Sequence, residues 1–316
     1  MNVIVTGGAG FIGSNLISDL LHNNRVTVYC IDNFDPYYDR SIKEKSIEPF
    51  LSNDHFHFVE CDILDYDNLV TIFKNVKIDV IVHLAGKAGV RPSIEDPISY
   101  TKTNVEGTNK MLEFAKVKKI QQFVFGSSSS VYGKCKDLPW NENSTCDPIS
   151  PYASSKLAGE FLGKVYSNLF DINFIALRFF TVFGPNQRPD LAIHKFINLM
   201  SKNQKIDLYG DGSTKRDYTF VSDIVQGIKA AMKLNRPFEV INIASNNPIK
   251  LKDLVRTLET VSGIEAKINY MPEQQGDVSI TYACIDKAKR MLKYAPTTSL
   301  EHGVEMFYSW YENKNK

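Results

Sequence analysis

The stretch VIVTGGAGFIG, residues 3–13, joins a run of β-branched side chains to three glycines at the spacing GxxGxxG. Val3–Thr6 predicts a short buried strand, and the amphipathic pattern after the glycines predicts a helix. Gly7, Gly10 and Gly13 would let the backbone approach a pyrophosphate at the helix N-terminus, where free N–H groups and the helix dipole favour anions. The stretch therefore predicts a dinucleotide-binding turn, although a glycine turn without a ligand has the same local pattern.

An acidic residue follows the turn at the distance that this kind of site requires. The second predicted strand, Val26–Ile31, ends at Asp32, roughly twenty residues beyond the glycines. A carboxylate at this position binds the ribose hydroxyls of NAD and repels the 2′-phosphate of NADP. The sequence therefore predicts NAD as the cofactor.

Strand and helix patterns alternate through the first half of the chain. This alternation predicts parallel βαβ units, and strands as apolar as these are expected to be covered on both faces. We therefore predict an α/β fold with a doubly wound parallel sheet of the Rossmann type. The further strands are predicted at Phe56–Val59, Val80–Leu84, Phe123–Phe125 and Phe174–Leu177. The helices are predicted at Asn15–Leu21, Tyr66–Lys74, Tyr100–Lys116 and Tyr152–Leu169.

The pattern changes after residue 183. Residues 208–220, LYGDGSTKRDYTF, are rich in glycine, serine and aspartate, and they predict a loop around a short strand. Later segments either return to the main sheet or build a smaller lobe. We predict a Rossmann domain at 1–183, with a sheet contribution from about 215–245, and an interleaved α/β substrate lobe at 184–316.

The composition excludes several classes of function. With 37 basic and 36 acidic residues, the chain lacks the strong positive charge that binding to nucleic acid or an anionic membrane requires. No apolar run approaches the roughly 20 residues of a membrane span, and the N-terminus lacks the pattern of a signal peptide. Five scattered cysteines and six histidines show no spacing typical of a disulfide framework or a metal site. We therefore predict a cytoplasmic protein with no metal, no nucleic-acid partner and no membrane partner.

Two motifs predict a catalytic constellation. Tyr152 and Lys156 form YxxxK on a predicted helix, so their side chains share one face. A phenol is a weak base at neutral pH, and a nearby ammonium lowers its pKa. Ser128 lies in SSSSVYG after the fifth predicted strand, at the edge where α/β sheets bind ligands. Chance spacing and a polar loop are the alternatives for either motif alone.

Motifs spread over nearly the whole chain match one known family pattern. They are TGGAGFIG, the Asp32 strand end, Cys61-Asp62-Ile63, HLAG at 83–86, Asn104, SSSSVYG, YxxxK, LRFFTVFGP and RDYTFVSDI. On these motifs the chain resembles the extended short-chain dehydrogenase/reductases, in the group of nucleotide-sugar epimerases and dehydratases. The resemblance implies Tyr152 as the general base, Lys156 as its partner and Ser128 as the third catalytic residue. The residues that it implies in NAD binding are Gly7, Gly10, Phe11, Ile12, Gly13, Asp32, Asn33, Asp62, Ile63, Leu84, Ala85, Gly86, Asn104, Tyr152 and Lys156.

The resemblance also implies a shared first step, in which the base takes the proton of the sugar 4-hydroxyl while hydride leaves C4 for NAD. Ser129 and Ser130 stand where the related 4,6-dehydratases carry an Asp-Glu pair and the decarboxylases carry a glutamate. A serine cannot perform that proton transfer near neutral pH. We therefore favour return of the hydride to the other face of a transient 4-keto sugar, which inverts C4, over dehydration or decarboxylation.

Two segments resemble the subgroup of epimerases that acts on UDP-glucuronate. One is the insertion Ile31–Ile47, and the other runs through residues 178–190. By this resemblance Thr181 and Arg188 hold the sugar carboxylate, for which a guanidinium fork is suited. We predict conversion of UDP-glucuronate to UDP-galacturonate. The alternatives are a 4-epimerase of UDP-glucose or UDP-N-acetylglucosamine and, outside the enzymes, an NAD-binding sensor.

The resemblance implies further contacts at the nucleotide end of the substrate. Arg216 would bind the UDP phosphates, Asp277 would meet the uridine ribose, and Tyr209 would pack near the uracil. The alternative to a uracil contact for Tyr209 is a position in the core. The alternative to a substrate contact for Arg91 is a surface salt bridge. The other residues implied in substrate binding are Lys87, Arg91, Ser128 and Ser129.

Relatives in this group commonly form homodimers through two helices, which here are predicted at Tyr100–Lys116 and Tyr152–Leu169. The resemblance therefore implies a four-helix bundle between two copies of the chain. Leu112 and Phe161 are candidates either for the core or for this interface, and the sequence does not separate the two.

Overall fold

A seven-stranded sheet forms the centre of the computed structural model, which describes residues 1–272 and 278–315. Its strands, numbered along the chain, are β1 (Asn2–Thr6), β2 (Thr27–Asp32), β3 (Phe56–Glu60), β4 (Val80–His83), β5 (Gln122–Ser128), β6 (Asn173–Phe179) and β10 (Phe238–Ile243). Their spatial order is β10-β6-β5-β4-β1-β2-β3, and every neighbouring pair is parallel. The predicted α/β class with a doubly wound Rossmann sheet is confirmed.

The first strand shows why the sheet is apolar on both faces. Val3 and Val5 pack into the core on one side of the sheet, and Ile4 packs into the core on the other. Strand β1 lies between β2 and β4, so the winding direction reverses there. At such a reversal a crevice opens outside the carboxyl ends of the strands, and ligands bind in it.

Helices cover both faces of the sheet. One face packs against α1 (Phe11–Leu21), α9 (Val221–Ala231) and α11 (Asp286–Leu292), and the other against α3 (Tyr66–Ile72), α6 (Gly107–Val117) and α7 (Pro151–Phe170). Helix α2 (Arg40–Ile47) follows β2, and α4 (Val90–Glu95) and α5 (Pro97–Thr101) follow β4. No helix in the described part of the chain combines the length and the apolar composition that crossing a bilayer requires.

The single helix predicted at Tyr100–Lys116 is interrupted. A π-helical segment, Lys102–Glu106, joins α5 to α6. It brings Asn104 between the loop after β4 and helix α7, where the Asn104 amide donates to the Lys87 carbonyl of the loop and to the Ser155 hydroxyl of the helix, both at 2.9 Å. Short π segments inside helices are frequent at functional sites. The interruption therefore ties the helix to the wall of the crevice.

A smaller lobe is built around the buried rings of Phe183, Phe220 and Phe307. It holds a three-stranded sheet in the order β11-β9-β7 and a parallel pair, β12-β8. The strands are β7 (Thr181–Phe183), β8 (Lys205–Tyr209), β9 (Lys215–Phe220), β11 (Pro248–Lys250) and β12 (Lys267–Met271). The helices are α8 (Ala192–Ser201), α10 (Leu251–Ser262) and α12 (Leu300–Asn315).

The short strand predicted within residues 208–220 is present, because this stretch contains the end of β8, a turn and all of β9. Tyr218 and Phe220 are buried in the core of the lobe, and their burial outweighs the loop preference of the glycines and serines. Within the range 215–245, the central sheet takes β10 alone, because β9 pairs with β7 and β11. The chain leaves the central sheet at Phe179, shortly before the predicted boundary at 183/184.

Candidate active site

A cleft of about 420 Å³ lies at the carboxyl ends of β1, β4 and β5. Most of the residues predicted for the site line it. From the predicted cofactor set these are Gly7, Gly10, Phe11, Ile12, Gly13, Asp32, Asn33, Asp62, Ile63, Leu84, Ala85, Gly86, Tyr152 and Lys156. From the predicted substrate set they are Lys87, Ser128, Ser129, Thr181 and Arg188.

The glycine turn has contacts that exclude larger residues. Gly7 has a φ of 66° and donates its N–H to the Ile31 carbonyl at 2.8 Å. A Cβ at Gly13 would lie 2.3 Å from the Gly7 carbonyl oxygen, so α1 packs against the turn only with a glycine there. Helix α1 begins at Phe11 without a side-chain cap, which leaves its first N–H groups for an anion. The turn is therefore a suitable cradle for a pyrophosphate.

Asp32, at the end of β2, retains hydrogen-bonding capacity toward the cleft. Its carboxylate accepts the N–H of Ala9 at 3.1 Å and the N–H of Phe34 at 2.9 Å. Burial raises the pKa of Asp32, and the Lys43 ammonium, 4.0 Å away, opposes this effect. A carboxylate offers about four acceptor sites, so sites remain for the ribose hydroxyls. Lys43 also lines the cleft, and it was not predicted from the sequence.

The loops after β2 and β3 are pinned together beside the glycine turn. The amide of Asn33 donates to the Asp62 carboxylate at 2.8 Å, and the same carboxylate accepts the N–H of Leu64 at 2.8 Å. Asn104 has a different position, because it lies buried behind the cleft wall and accepts the N–H of Lys87 at 2.8 Å. The contact of Asn104 with NAD therefore stays a prediction, and its observed role is to hold the wall.

Ser128, Tyr152 and Lys156 converge at the end of β5. Tyr152 and Lys156 lie one turn apart on α7, and Ser128 lines the same cleft and lowers the pKa of the Tyr152 phenol. The Lys156 ammonium donates to the Gly126 carbonyl at 2.8 Å and lies 5.0 Å from the ring centroid of Phe125. The cleft therefore presents a phenol, a hydroxyl and an amine in one place, which is a set suited to proton transfer.

Charge and burial act on these groups in opposite directions. Burial raises the pKa of Tyr152, whereas the hydrogen bond with Ser128 and the charge of Arg188 lower it. Burial lowers the pKa of Lys156 to about 8. The Lys156 ammonium is directed to the Gly126 carbonyl. The charge of Arg188 therefore helps to favour the Tyr152 phenolate in this structure, a contribution that the sequence pattern did not indicate. The role of Lys156 as the partner of the base stays a prediction.

The lowered pKa of Lys156 makes stability depend on pH. Its pKa is about 8 in the folded protein against an ordinary 10.5, so between these values the unfolded chain alone holds the proton. Within that window the free energy of unfolding therefore rises with pH. Below the window both states hold the proton, so Lys156 causes no pH dependence there. We expect the free energy of unfolding of the cofactor-free protein, relative to Lys156→Met, to rise by about 3 kcal/mol across the window. Urea denaturation below and above the window measures this, and a difference independent of pH would contradict it.

A buried ion pair lies beneath the catalytic residues and was not predicted from the sequence. Glu160 accepts hydrogen bonds from Arg178 Nε at 2.9 Å and Nη2 at 2.7 Å, and from the Ser127 hydroxyl at 2.6 Å. Both ions are 4% exposed. Because Glu160 lies on α7, Ser127 on β5 and Arg178 on β6, the pair fixes the catalytic helix to the strand that carries Ser128. The four-residue spacing from Tyr152 through Lys156 to Glu160 is the signal that could have revealed it.

Thr181 and Arg188 line the cleft from the side of the smaller lobe. The Arg188 guanidinium donates to both oxygens of Asp190, from Nε at 3.0 Å and from Nη2 at 2.8 Å. The Lys87 ammonium lies 3.8 Å from the carboxylate of Asp35. The lobe thus places a guanidinium at the cleft, where it can meet an anionic group of a ligand.

Among the described residues, Arg91, Tyr209 and Arg216 do not line this cleft. The guanidinium of Arg91 lies 5.2 Å from the ring centroid of Tyr209, so these two predicted contacts stack on each other. Arg216 lies on β9 and donates to the Lys215 carbonyl at 2.9 Å. Asp277 lies outside the described residues. The roles of these four residues in substrate binding stay predictions.

The fold and the site define a class of protein. A Rossmann sheet with a glycine turn, an acidic strand end and a Ser–Tyr–Lys set in one cleft is the arrangement of the extended short-chain dehydrogenase/reductases. The family model described as GDP-mannose 4,6 dehydratase matches residues 4–307, and the chain belongs to this family. The resemblance inferred from the sequence motifs is confirmed.

Similar proteins cover almost the whole chain. A UDP-glucuronate 4-epimerase of Thermodesulfobacterium geofontis is 36% identical over 309 residues, which are 97% of this chain and 95% of the relative. The crystal structure of the UDP-glucuronic acid 4-epimerase from Bacillus cereus with UDP-glucuronic acid and NAD is 38% identical, with a TM-score of 0.93 over 99% of this chain and 100% of that one. The UDP-glucose 4-epimerase of Thermotoga maritima with UDP-glucose is 29% identical, with a TM-score of 0.91 over 100% of both chains.

Proposed function

We propose that this protein is an NAD-dependent 4-epimerase that interconverts UDP-glucuronate and UDP-galacturonate. The observation that carries the proposal is the presence of two functional sets in one cleft, namely Ser128, Tyr152 and Lys156 together with Thr181 and Arg188. The first set suits proton transfer at a sugar hydroxyl, and the second suits a sugar carboxylate. Similarity to UDP-glucuronate 4-epimerases along the whole chain supports the proposal.

The inner end of the cleft fits NAD. The glycine turn offers backbone N–H groups to the pyrophosphate, and Asp32 offers acceptor sites to the ribose. Asp62 and Ile63 are proposed to border the adenine, and Lys156 to donate to the nicotinamide ribose. When bound, NAD would accept a hydride from the sugar C4 and afterwards return it.

The side chains of this protein are proposed to supply the proton transfers. Tyr152, as the phenolate, takes the proton of the sugar 4-hydroxyl and later returns it. Ser128, which lies beside the Tyr152 phenol, donates a hydrogen bond to the same sugar oxygen and holds it in place. The Arg188 charge favours the phenolate. Inversion at C4 requires that the 4-keto sugar turn its other face toward the same side chains.

Related reactions are less well supported by the residues present. Ser129 and Ser130 line the cleft as hydroxyls, so these two positions lack the carboxylates that dehydration and decarboxylation require. A 4-epimerase of UDP-glucose or UDP-N-acetylglucosamine is the second candidate. It is favoured by the similarity to the UDP-glucose 4-epimerase of Thermotoga maritima. The Arg188 guanidinium, for which a neutral sugar has no counter-charge, favours the acid sugar.

We also propose that the enzyme is a homodimer in the cytoplasm. On α7, Phe161, Val165 and Leu169 are 61%, 50% and 66% exposed and form an apolar stripe at four-residue spacing. Leu112 is fully buried in the core, so Phe161 is the interface candidate of the two. All five cysteines are free thiols, which suits a reducing compartment. Analytical ultracentrifugation of the protein and of Phe161→Glu tests the dimer, and a monomeric parent would contradict it.

Substrate preference tests the proposed function. We expect kcat/KM to be highest for UDP-glucuronate among UDP-glucuronate, UDP-glucose and UDP-N-acetylglucosamine. Arg188→Gln is expected to lower kcat/KM for UDP-glucuronate by about a hundred-fold, because a charged hydrogen-bond partner contributes roughly 1.5–3 kcal/mol. Arg256→Gln, at an exposed arginine on α10, is the matched control. A parent protein that prefers a neutral sugar would contradict the acid-sugar assignment.

A further inference from the structure

We propose that Asp190 and Tyr37 are positioning residues that fix the guanidinium of Arg188 for the carboxylate of the sugar. The proposal rests on the proposed function, because it concerns how the same site selects an acid sugar. Neither residue was predicted from the sequence, and neither needs to touch the reacting atoms. Both act through Arg188, and the contacts among the three side chains carry the inference.

The first contact is a planar fork. Arg188 donates from Nε to one oxygen of Asp190 at 3.0 Å and from Nη2 to the other at 2.8 Å. The side chain of Arg188 is 16% exposed. Two parallel bonds fix the plane of a guanidinium and its rotation, which a single bond would not do. Arg188 is therefore ordered before any ligand arrives.

The second contact comes from a different segment of the chain. The Tyr37 hydroxyl donates to the Asp190 carboxylate at 3.3 Å, and Arg188 Cζ lies 5.2 Å from the centroid of the Tyr37 ring. Tyr37 belongs to the insertion after β2, whereas Arg188 and Asp190 belong to the loop between β7 and α8. The two segments that resemble the acid-sugar subgroup thus meet at this contact, and Tyr37 and Arg188 both line the cleft.

The arrangement leaves one edge of the guanidinium for a ligand. Asp190 occupies the Nε–Nη2 edge, and Nη1 makes no hydrogen bond to any described residue. Two nearby ammonium groups have carboxylate partners, since Lys87 lies 3.8 Å from Asp35 and Lys43 lies 4.0 Å from Asp32. A sugar carboxylate would therefore bind at the Nη1 edge of Arg188. The affinity for a neutral sugar would not depend on whether the Arg188 guanidinium is fixed in advance.

Binding constants separate positioning from general damage. In the Tyr152→Phe background, which prevents turnover, calorimetry gives the Kd of UDP-glucuronate and of UDP-glucose with NAD present. We expect Asp190→Ala to raise the Kd of UDP-glucuronate about ten-fold, because Arg188 must then be ordered during binding. The Kd of UDP-glucose should stay within about two-fold. Tyr37→Phe, which removes one hydrogen bond, should raise the Kd of UDP-glucuronate about three-fold.

Asp253→Ala is the matched control, because Asp253 lies 3.6 Å from Arg256 on the exposed face of α10. Equal changes for both sugars in Asp190→Ala, or no change, would overturn the positioning role. Tighter binding of UDP-glucuronate would also overturn it, because Asp190 would then be a competitor for Arg188. If the Tyr152→Phe protein, without a change at Asp190 or Tyr37, binds UDP-glucuronate no more tightly than UDP-glucose, the acid-sugar assignment itself fails. The inference then fails with it.

Discussion

Tyr152→Phe is expected to lower the turnover of UDP-glucuronate by about a thousand-fold. The change removes only the hydroxyl that acts as the general base, and a positioned general base contributes roughly 10²–10⁴-fold. The ring remains, so its edge contact with Tyr100, at 6.3 Å between centroids, is kept. NAD binding and thermal stability should stay near those of the parent. Turnover at saturating substrate, together with NAD affinity, measures both expectations.

Tyr100→Phe is the matched control for this change. Tyr100 lies beside Tyr152, and its hydroxyl donates to the Ala88 carbonyl at 3.0 Å, away from the proton-transfer set. Loss of the Tyr100 hydroxyl should lower turnover by less than about ten-fold, since one ordinary hydrogen bond contributes roughly 0.5–1.5 kcal/mol. A Tyr152→Phe protein that keeps a tenth of the parent turnover would contradict the assignment of the base.

Arg178→Met is expected to lower the free energy of unfolding by about 3–5 kcal/mol, because it leaves the carboxylate of Glu160 buried without its cation. Among the described residues, the Ser127 hydroxyl, at 2.6 Å, would be the one remaining hydrogen-bond donor to Glu160. Urea denaturation at neutral pH measures the loss. Turnover should also fall, because the ion pair holds α7 against β5 and β6.

Two further variants define the cause of that loss. Arg40→Met removes a fork to Glu60 on the surface, where both side chains are about half exposed, and it should cost far less stability. The double variant Arg178→Met with Glu160→Leu removes both charges and should recover much of the loss. A double variant as unstable as Arg178→Met alone would contradict the explanation by an unpaired buried charge.

The central sheet was predictable because its signals are local. Strand β1 needs no distant residue to be recognised, since Val3, Ile4 and Val5 are all buried and the glycine turn follows at once. The start of α7 is also local, because Ser150 caps the Ala153 N–H at 3.1 Å. The π segment and the bounds of strand β9 were not predictable in this way. Asn104 and Phe220 take their conformations from contacts with segments far along the chain.

The candidate site divides in the same way. Tyr152 and Lys156 were found because helical spacing places them on one face, and Glu160 continues that spacing. Tyr37 was not found, because its contact with Asp190 joins residues 153 positions apart through two loops. Loops take their mutual positions from the packing of the lobes, and a periodic pattern does not encode that packing.

Proton NMR of UDP-glucuronate incubated with the purified protein and NAD tests the central claim most directly. The account predicts new sugar signals with the small H3–H4 coupling of an axial 4-hydroxyl, and their absence with Tyr152→Phe. Unchanged UDP-glucuronate, with the protein folded and NAD bound, would contradict the claim that this cleft inverts C4 of an acid sugar.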